Sequence, residues 1–357
     1  MIELRGWQRQ AKAAWLGRNS GVASVVTGAG KTVFAIECAR EKMREWGDGR
    51  VMVVVPGTTL QDQWQIELTA GLGLEPGAVS LHGGGHHDVL GDRRYSIAVV
   101  NTARSLIPTF PIGRGESLLI ADECHRYGAP ANRNAIDGIW NATLGLSATP
   151  VREYDDWFER YVAPVLGPVF YEYSYADALR DHVVTPFSLE HYLLTSAGMD
   201  ANSDEALRQA VTATLMDAHR GEQCLLFHER IVSADALVRR LAARGHRVVA
   251  YHSQLSPTAR LRNLALFRKR QVDVLVTCRA LDEGFDIPGA TFGLIVASTR
   301  STRQRIQRIG RLVRRAPGKE SAVVATLVSR VEDREVLREE ASSMAGLVAT
   351  RWFEVRQ

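Results

Sequence analysis

Val25-Val26-Thr27-Gly28-Ala29-Gly30-Lys31-Thr32 joins a predicted strand at residues 23–27 to a predicted helix at residues 31–46. Its glycines let the backbone turn tightly and point N–H groups at an anion near the helix N-terminus. Lys31 is expected to reach the β- and γ-phosphates of a nucleotide, and Thr32 to offer its hydroxyl to Mg²⁺. Val25 stands where the usual pattern begins with glycine. The strand–loop–helix context still predicts a phosphate-binding loop, formed by Thr27, Gly28, Ala29, Gly30, Lys31 and Thr32.

A second predicted strand, residues 118–122, ends in an acidic pair. Asp122 is expected to hold Mg²⁺ through water, and Glu123 to orient and deprotonate an attacking water. Two adjacent carboxylates alone could be solvated surface groups. Beside a phosphate-binding loop they predict hydrolysis of a nucleoside triphosphate.

Short apolar strands alternate with helical segments in both halves of the chain. The first half has predicted strands at residues 23–27, 51–56, 97–101, 118–122 and 143–147, and predicted helices at 31–46 and 59–72. The second half has predicted strands at 225–228, 248–252, 272–277, 294–297 and 323–328, and predicted helices at 234–244, 257–270 and 302–314. The strands lack polar alternation, which is typical of parallel strands covered on both faces. The pattern predicts a doubly wound α/β fold.

The length of 357 residues leaves room for two domains at about 100–200 residues each. We predict domains at residues 1–190 and 191–357, with the boundary within 165–220, where aromatic and then polar residues interrupt the alternation. The four cysteines lie far apart and no apolar run approaches a membrane span, so a disulfide framework and a membrane protein are excluded. The N-terminus lacks a secretory signal, which predicts a cytoplasmic location.

Arginine dominates the basic residues. The chain has five lysines, so 39 of its 44 basic residues are arginine, and seven of these lie at residues 300–315. This run is either a solvated basic face or a phosphate-binding one, since the guanidinium fork matches paired phosphate oxygens. The bias toward arginine suggests a GC-rich bacterial or phage genome.

The DECH box at residues 122–125 and several further motifs resemble superfamily 2 helicases and translocases. The motifs follow the family order at residues 4–8 (LRGWQ), 53–60 (VVVPGTTL), 101–106 (NTARSL), 122–125, 146–150 (LSATP), 225–230 (LLFHER), 274–277 with 283–288 (VLVT, EGFDIP) and 307–314 (QRIGRLVR). The resemblance implies two tandem RecA-like doubly wound domains with an ATP cleft between them, and ATP and Mg²⁺ as cofactors.

Within the superfamily, residues 151–156 and the EGFDIP motif look most like the XPB, UvsW and type I/III restriction-motor branch. That resemblance implies duplex or branched DNA as the partner in preference to RNA. An RNA helicase remains the alternative.

The resemblance also assigns roles around the nucleotide. Arg5 and Gln8 would read adenine, and Gly284 and Asp286 would serve the nucleotide or the closing interface. Three further residues, Gln307, Arg311 and Arg314, are spaced i, i+4 and i+7, so they would share one face of the helix at 302–314. The resemblance implies that Arg311 and Arg314 act as arginine fingers.

In this family several motifs touch the sugar–phosphate backbone, and the resemblance implies five candidate DNA contacts: Thr58, Thr102, Arg104, Arg230 and Thr277. Each of them could equally be an ordinary surface residue. Trp64 is expected to pack in the core or between domains rather than to stack on a base. The histidine-rich segment 82–88 is expected to be a flexible surface loop rather than a metal site.

Two other classes of protein are alternatives: a nuclease–helicase fusion and a nucleotide switch. A metal nuclease of the common type needs an acidic residue two positions before a lysine, and none of the five lysines has one. A nuclease or other accessory subunit would therefore be a separate chain, with this one predicted to be a monomer by itself. A nucleotide switch that binds but does not move, or a motor subunit of a larger complex, stays open.

Overall fold

The computed structural model describes residues 3–75, 77–109, 115–150, 156–194, 201–278, 289–297, 305, 308–310 and 312–355. The chain divides into two compact units, Met1–Ser174 and Tyr175–Gln357. The division lies inside the 165–220 stretch. It comes before the predicted boundary at residue 190, because the strand Phe187–Leu194 pairs within the second unit.

The first unit is built on an eight-stranded sheet with the order β4-β3-β5-β2-β6-β7-β1-β8. Its strands are β1 Val22–Val25, β2 Arg50–Val55, β3 Val79–Gly83, β4 His86–His87, β5 Tyr95–Val99, β6 Ser117–Asp122, β7 Ala142–Ser147 and β8 Val169–Tyr173. Neighbouring strands are parallel except for the β3–β4 hairpin. All residues of β5, β6 and β7 are buried, as expected where helices cover both faces of a parallel sheet.

The helices of this unit begin mostly after strand ends. They are α1 Gly6–Leu16, α2 Lys31–Trp46, α3 Thr58–Leu72, α4 Val100–Leu106 and α5 Ala163–Leu166. Trp15 of α1 is fully buried and donates its indole N–H to the carbonyl of Thr143 at 2.9 Å. This bond fixes the N-terminal helix to the sheet.

The second unit is built on a seven-stranded sheet with the order β11-β12-β10-β13-β14-β9-β15, and all its described pairings are parallel. The strands are β9 Phe187–Leu194, β10 Cys224–His228, β11 Val248–His252, β12 Val274–Cys278, β13 Phe292–Ile295, β14 Ala322–Val328 and β15 Ala349–Val355. The helices are α6 Tyr175–Arg180, α7 Ala201–Ala218, α8 Ile231–Ala243, α9 Pro257–Arg268 and α10 Val331–Ser343.

The prediction of two doubly wound parallel sheets is confirmed. Sequence patterns missed several elements, among them β8, β9, β15 and the long helix α7. The polar stretch that interrupts the alternation supplies the first turns of α7, whose larger apolar side chains begin only at Leu207. No helix within the described ranges combines the length and apolar character that crossing a membrane requires.

Candidate functional site

The predicted phosphate-binding loop and the acidic pair lie side by side at the carboxyl ends of strands in the first sheet. Strands β6, β7 and β1 are direct neighbours and run parallel. The segments that follow them therefore emerge side by side. The fold thus brings together Lys31, Asp122, Glu123 and Ser147.

The phosphate-binding loop depends on glycine at two positions. Gly28 and Gly30 have φ values of 87° and 97°, in the left-handed region that side chains disfavour. A Cβ on Gly30 would lie 3.0 Å from Nε2 of Gln8. Gly30 is also the N-cap of α2 and provides no side-chain cap, so backbone donors of the first turn are available to phosphate oxygens. Lys31 donates its ammonium to the carbonyl of Val25 at 3.1 Å, which holds it over the loop.

The N-terminal segment braces this loop. Arg5 Nη1 donates to the carbonyl of Ala29 at 2.8 Å, and Gln8 Nε2 donates to that of Gly30 at 2.9 Å. The Gln8 amide oxygen accepts from the backbone N–H of Arg5 at 2.8 Å. Arg5 and Gln8 thus lie against the phosphate-binding loop, and their reading of adenine stays a prediction. Their bonds to the loop carbonyls were not foreseen from the sequence.

Asp122 is buried, with 6% of its surface exposed, and both of its carboxylate oxygens are fixed. Oδ2 accepts the indole N–H of Trp64 at 2.7 Å, and Oδ1 accepts the backbone N–H of Glu123 at 3.0 Å. Burial and the Glu123 charge raise the pKa of Asp122 to about 6, against the opposing effects of the Trp64 hydrogen bond and the Lys31 charge. A cation bound here would offset the cost of this buried charge.

Glu123 adopts a left-handed backbone conformation, with φ 48° and ψ 49°. Such a conformation is costly for a residue with a side chain and is found preferentially at functional sites. Its Oε2 is buried and, within the described part of the chain, has no hydrogen bond of good geometry, although Nδ1 of His125 lies 3.4 Å away. A carboxylate with spare acceptor capacity at the end of β6 is suited to take a proton from water.

A short polar chain links the acidic pair to the segment after β7. Nδ1 of His125 lies 3.4 Å from Oε2 of Glu123 and 3.0 Å from Oγ of Ser147. Ser147 Oγ in turn accepts the backbone N–H of Thr149 at 3.0 Å. The DECH and SAT motifs are thereby joined within the first unit.

The donor set fits Mg²⁺ bound together with a nucleotide. Within the described ranges no group of three or more His, Cys, Asp or Glu side chains could cage a metal ion. Mg²⁺ does not need such a cage, because it commonly takes one or two protein oxygens and completes its octahedron with phosphate oxygens and water. Thr32 would offer its hydroxyl to the ion, and Asp122 would hold the ion through water.

The predicted arginine-finger helix is only partly described. Gly284, Asp286, Gln307 and Arg311 lie outside the described residues, while Arg314 is within them.

The prediction of a helix reaching residue 314 is wrong, because the described helical residues end at Leu312. The carbonyl of Val313 accepts the N–H of Thr185 at 2.7 Å, and that of Arg314 accepts the Thr185 hydroxyl at 3.2 Å. Val313 still donates its N–H to the carbonyl of Ile309 at 3.0 Å, and Arg314 lies beyond the last helical residue, so it does not continue the helix face.

Part of the arginine run lies in the interior of the second unit. Arg305 is 4% exposed and pairs with Glu340 at 2.8 Å. Arg308 is 1% exposed, with its guanidinium 5.4 Å from the ring centre of Phe227. These two arginines are buried against residues of the second unit, so only part of the run is available to a phosphate.

Two candidate DNA contacts share one surface of the first unit. Thr58 is the first residue of α3, and Thr102 lies in the first turn of α4. The turn of the β3–β4 hairpin packs on both: a Cβ on Gly83 would collide with Thr102, and one on Gly84 would lie 2.6 Å from Cγ2 of Thr58. The histidine-rich segment is therefore mostly a structured hairpin rather than a loop.

The other three candidates differ in accessibility. Arg104 is partly buried and donates to the side-chain oxygen of Asn132. Arg230 is exposed, pairs with Glu205 at 3.2 Å and borders a cleft of about 820 Å³. Thr277 is 1% exposed within β12, so its position gives no support to a phosphate contact.

Two family models match most of the chain. Residues 1–152 match the type III restriction enzyme, res subunit, and residues 204–316 match the helicase conserved C-terminal domain. The chain belongs to superfamily 2 of the helicases. The restriction-subunit match and the XPB-named relatives confirm the predicted branch of this superfamily.

Relatives of this superfamily 2 chain span nearly all of it. The DNA 3'-5' translocase XPB2 of Sulfurisphaera tokodaii is 25% identical over 94% of this chain and 84% of its own length. The DNA 3'-5' helicase XPB of Kineococcus radiotolerans is 27% identical over 92% of this chain. This chain covers only 60% of that helicase, and 54% to 58% of two further relatives.

A solved structure gives the same fold for this superfamily 2 chain. Saccharomyces cerevisiae Dbp5 bound to RNA and ADP BeF3 aligns with a TM-score of 0.72 and 16% identity, over 99% of this chain and 90% of Dbp5. The likeness confirms the predicted tandem RecA-like domains.

Proposed function

We propose that this superfamily 2 chain is an ATP-dependent DNA translocase or helicase acting on duplex or branched DNA. The main support for the proposal is that Lys31, Asp122 and Glu123 lie together at the carboxyl ends of β1 and β6, two strands separated only by β7. These are the parts that nucleotide hydrolysis needs: a phosphate cradle, a metal-holding carboxylate and a base.

In this proposal the residues of the first unit divide the chemistry among themselves. The loop N–H groups and Lys31 bind and orient the phosphates, and Thr32 and Asp122 hold Mg²⁺. The metal ion supplies charge stabilisation at the phosphates. Glu123 orients the attacking water and accepts its proton.

Support for DNA as the partner comes from the relatives, whose names describe DNA 3'-5' translocases and helicases. We extend this description to the present chain and expect movement in the 3′-to-5′ direction. The likeness to an RNA-bound protein concerns the fold alone. An RNA helicase is the second candidate.

The chain is shorter than several of its relatives, covering 54% to 60% of three of them. A nuclease or other accessory subunit remains a proposed partner, because none of the five lysines has an acidic residue two positions before it. A motor subunit or a nucleotide switch that does not move would use the same ATP site.

The ATPase rate measured with matched DNA and RNA, each as single strand, duplex and fork, tests the proposal. We expect duplex or forked DNA to stimulate hydrolysis most strongly. Stronger stimulation by RNA would replace the DNA assignment while keeping the motor. Hydrolysis that no nucleic acid stimulates would instead indicate a switch or a partner-dependent motor.

Arg104→Ala is expected to weaken DNA binding evenly across sequences. Loss of one phosphate contact should flatten the slope of log K against log salt by about one unit. Binding titrations at several salt concentrations measure this slope. Arg44→Ala is the matched control, because Arg44 is 79% exposed on α2, outside the candidate DNA contacts. An unchanged slope in Arg104→Ala would remove Arg104 from the DNA-contacting set.

A further inference from the structure

We infer that Trp64 is a positioning residue that fixes the metal-holding carboxylate of Asp122 and ties it to the helix beginning at the candidate DNA contact Thr58. The inference rests on the proposed function, because it assumes that the first unit binds a nucleotide with Mg²⁺ and responds to DNA. It assigns to Trp64 a role that neither its sequence motif nor the family matches provide.

The contact between Trp64 and Asp122 is direct and enclosed. The indole N–H lies 2.7 Å from Oδ2, and Trp64 is 1% exposed. An indole can only donate a hydrogen bond, so its role in this pair cannot reverse. With Oδ1 bound by the Glu123 N–H at 3.0 Å, the plane of the carboxylate is set from both sides. Its remaining lone pairs are left for the metal ion and its water.

The helix that carries Trp64 is itself anchored. Gln61, which is fully buried on α3, donates its side-chain N–H groups to the carbonyls of His82 and Ile97, each at 3.1 Å. These carbonyls belong to β3 and β5, so α3 is fixed to the half of the sheet that carries the β3–β4 hairpin. Asp122 is therefore linked to that hairpin through one helix.

Thr58 and Trp64 lie at two positions of this helix. Trp64 lies six positions after Thr58, a rise of about 9 Å. A helix moves nearly as a rigid body over that length. A phosphate bound at Thr58 and the adjoining hairpin turn would therefore act on the same rigid unit of helix and hairpin that holds the indole against the Asp122 carboxylate. This route lies entirely within the first unit and lets DNA binding change how the metal ion is held.

The test compares Trp64→Phe with Trp15→Phe. Both changes remove one buried indole N–H and keep an aromatic ring. Trp15 donates to the carbonyl of Thr143 instead, at 2.9 Å, and therefore reports the cost of the substitution without the carboxylate. The first readout is the thermal shift produced by ADP with Mg²⁺ and by ADP with EDTA. The second is the Mg²⁺ concentration that gives half-maximal ATPase, with and without DNA.

Trp64→Phe is expected to keep the shift by metal-free ADP and to lose most of the extra shift by Mg²⁺. Removing a partner that orients a metal ligand typically weakens metal binding by about 10–100-fold, so the half-maximal Mg²⁺ concentration should rise by a similar factor. Stimulation by DNA should fall as well. Trp15→Phe should show none of these changes.

Two results would overturn the inference. One is an unchanged Mg²⁺ dependence in Trp64→Phe, which would leave Trp64 as core packing. The other is full additivity with Asp122→Asn, because a residue that acts through Asp122 should add no further loss of metal affinity once that carboxylate is gone. Failure of the proposed function is distinguishable, since the wild-type protein would then show no Mg²⁺-dependent shift with ADP.

Discussion

Glu123→Gln is expected to bind ATP as the wild-type protein does and to lose turnover by about 10²–10⁴-fold. The amide keeps the size and polarity of the side chain but cannot accept the proton of the attacking water. Asp122 and the phosphate-binding loop remain, so nucleotide and Mg²⁺ binding should persist. The measurements are the steady-state ATPase rate and the equilibrium binding of a fluorescent ATP analogue.

Glu116→Gln is the control for this prediction. Glu116 is exposed and immediately precedes β6, at the end of the strand opposite to Glu123. The same chemical change there should leave the ATPase rate unaltered. Full activity in Glu123→Gln would exclude Glu123 as the base and would leave its strained backbone unexplained.

The acidic pair also shows why the site depends on its ligands. Asp122 and Glu123 are adjacent carboxylates, and burial raises the pKa of Asp122 to about 6. Two charges in such surroundings are costly unless a cation compensates them. The fold tolerates them because the Trp64 N–H, the Glu123 N–H and the Lys31 charge favour the ionised form of Asp122. A Mg²⁺ ion held at Asp122 would add a further positive charge beside the pair.

The fold, and the local backbone geometry of the phosphate-binding loop and the acidic pair, could be predicted from the sequence. Phosphate-loop glycines need left-handed backbone angles, and Gly28 and Gly30 adopt them. The acidic pair was predicted at a strand end, and β6 ends at Asp122. These features are local, because they follow from the backbone preferences of a few adjacent residues and from apolar runs of strand length.

The contacts that complete the site could not be predicted, because they join distant parts of the chain. Trp64 and Asp122 are 58 residues apart in sequence, and their bond depends on how α3 packs against β2, β3 and β5. Arg5 and Gln8 reach loop carbonyls more than twenty residues away. A one-dimensional pattern carries no information about such partners.

The turnover of Arg311→Ala and Arg314→Ala is expected to show which of these two arginines acts as an arginine finger. The residue that stabilises charge on the transferring phosphoryl group should lose about 10³–10⁵-fold in turnover when it is removed, with little change in ATP affinity. A residue that only supports the local backbone should lose far less. Steady-state ATPase rates and ATP-analogue affinities of both variants give the comparison.

The structure makes the Arg314 variant informative. Its chain position is held through main-chain carbonyls, those of Val313 and Arg314, which bond to Thr185 and are retained in Arg314→Ala. A loss of turnover in that variant would therefore come from the guanidinium rather than from a displaced segment. Arg239→Ala, an exposed arginine on α8, controls for the loss of one positive charge. If both finger variants hydrolyse ATP at the rate of Arg239→Ala, the arginine run serves folding and surface charge, and the group that stabilises the transition state must be sought elsewhere in the chain.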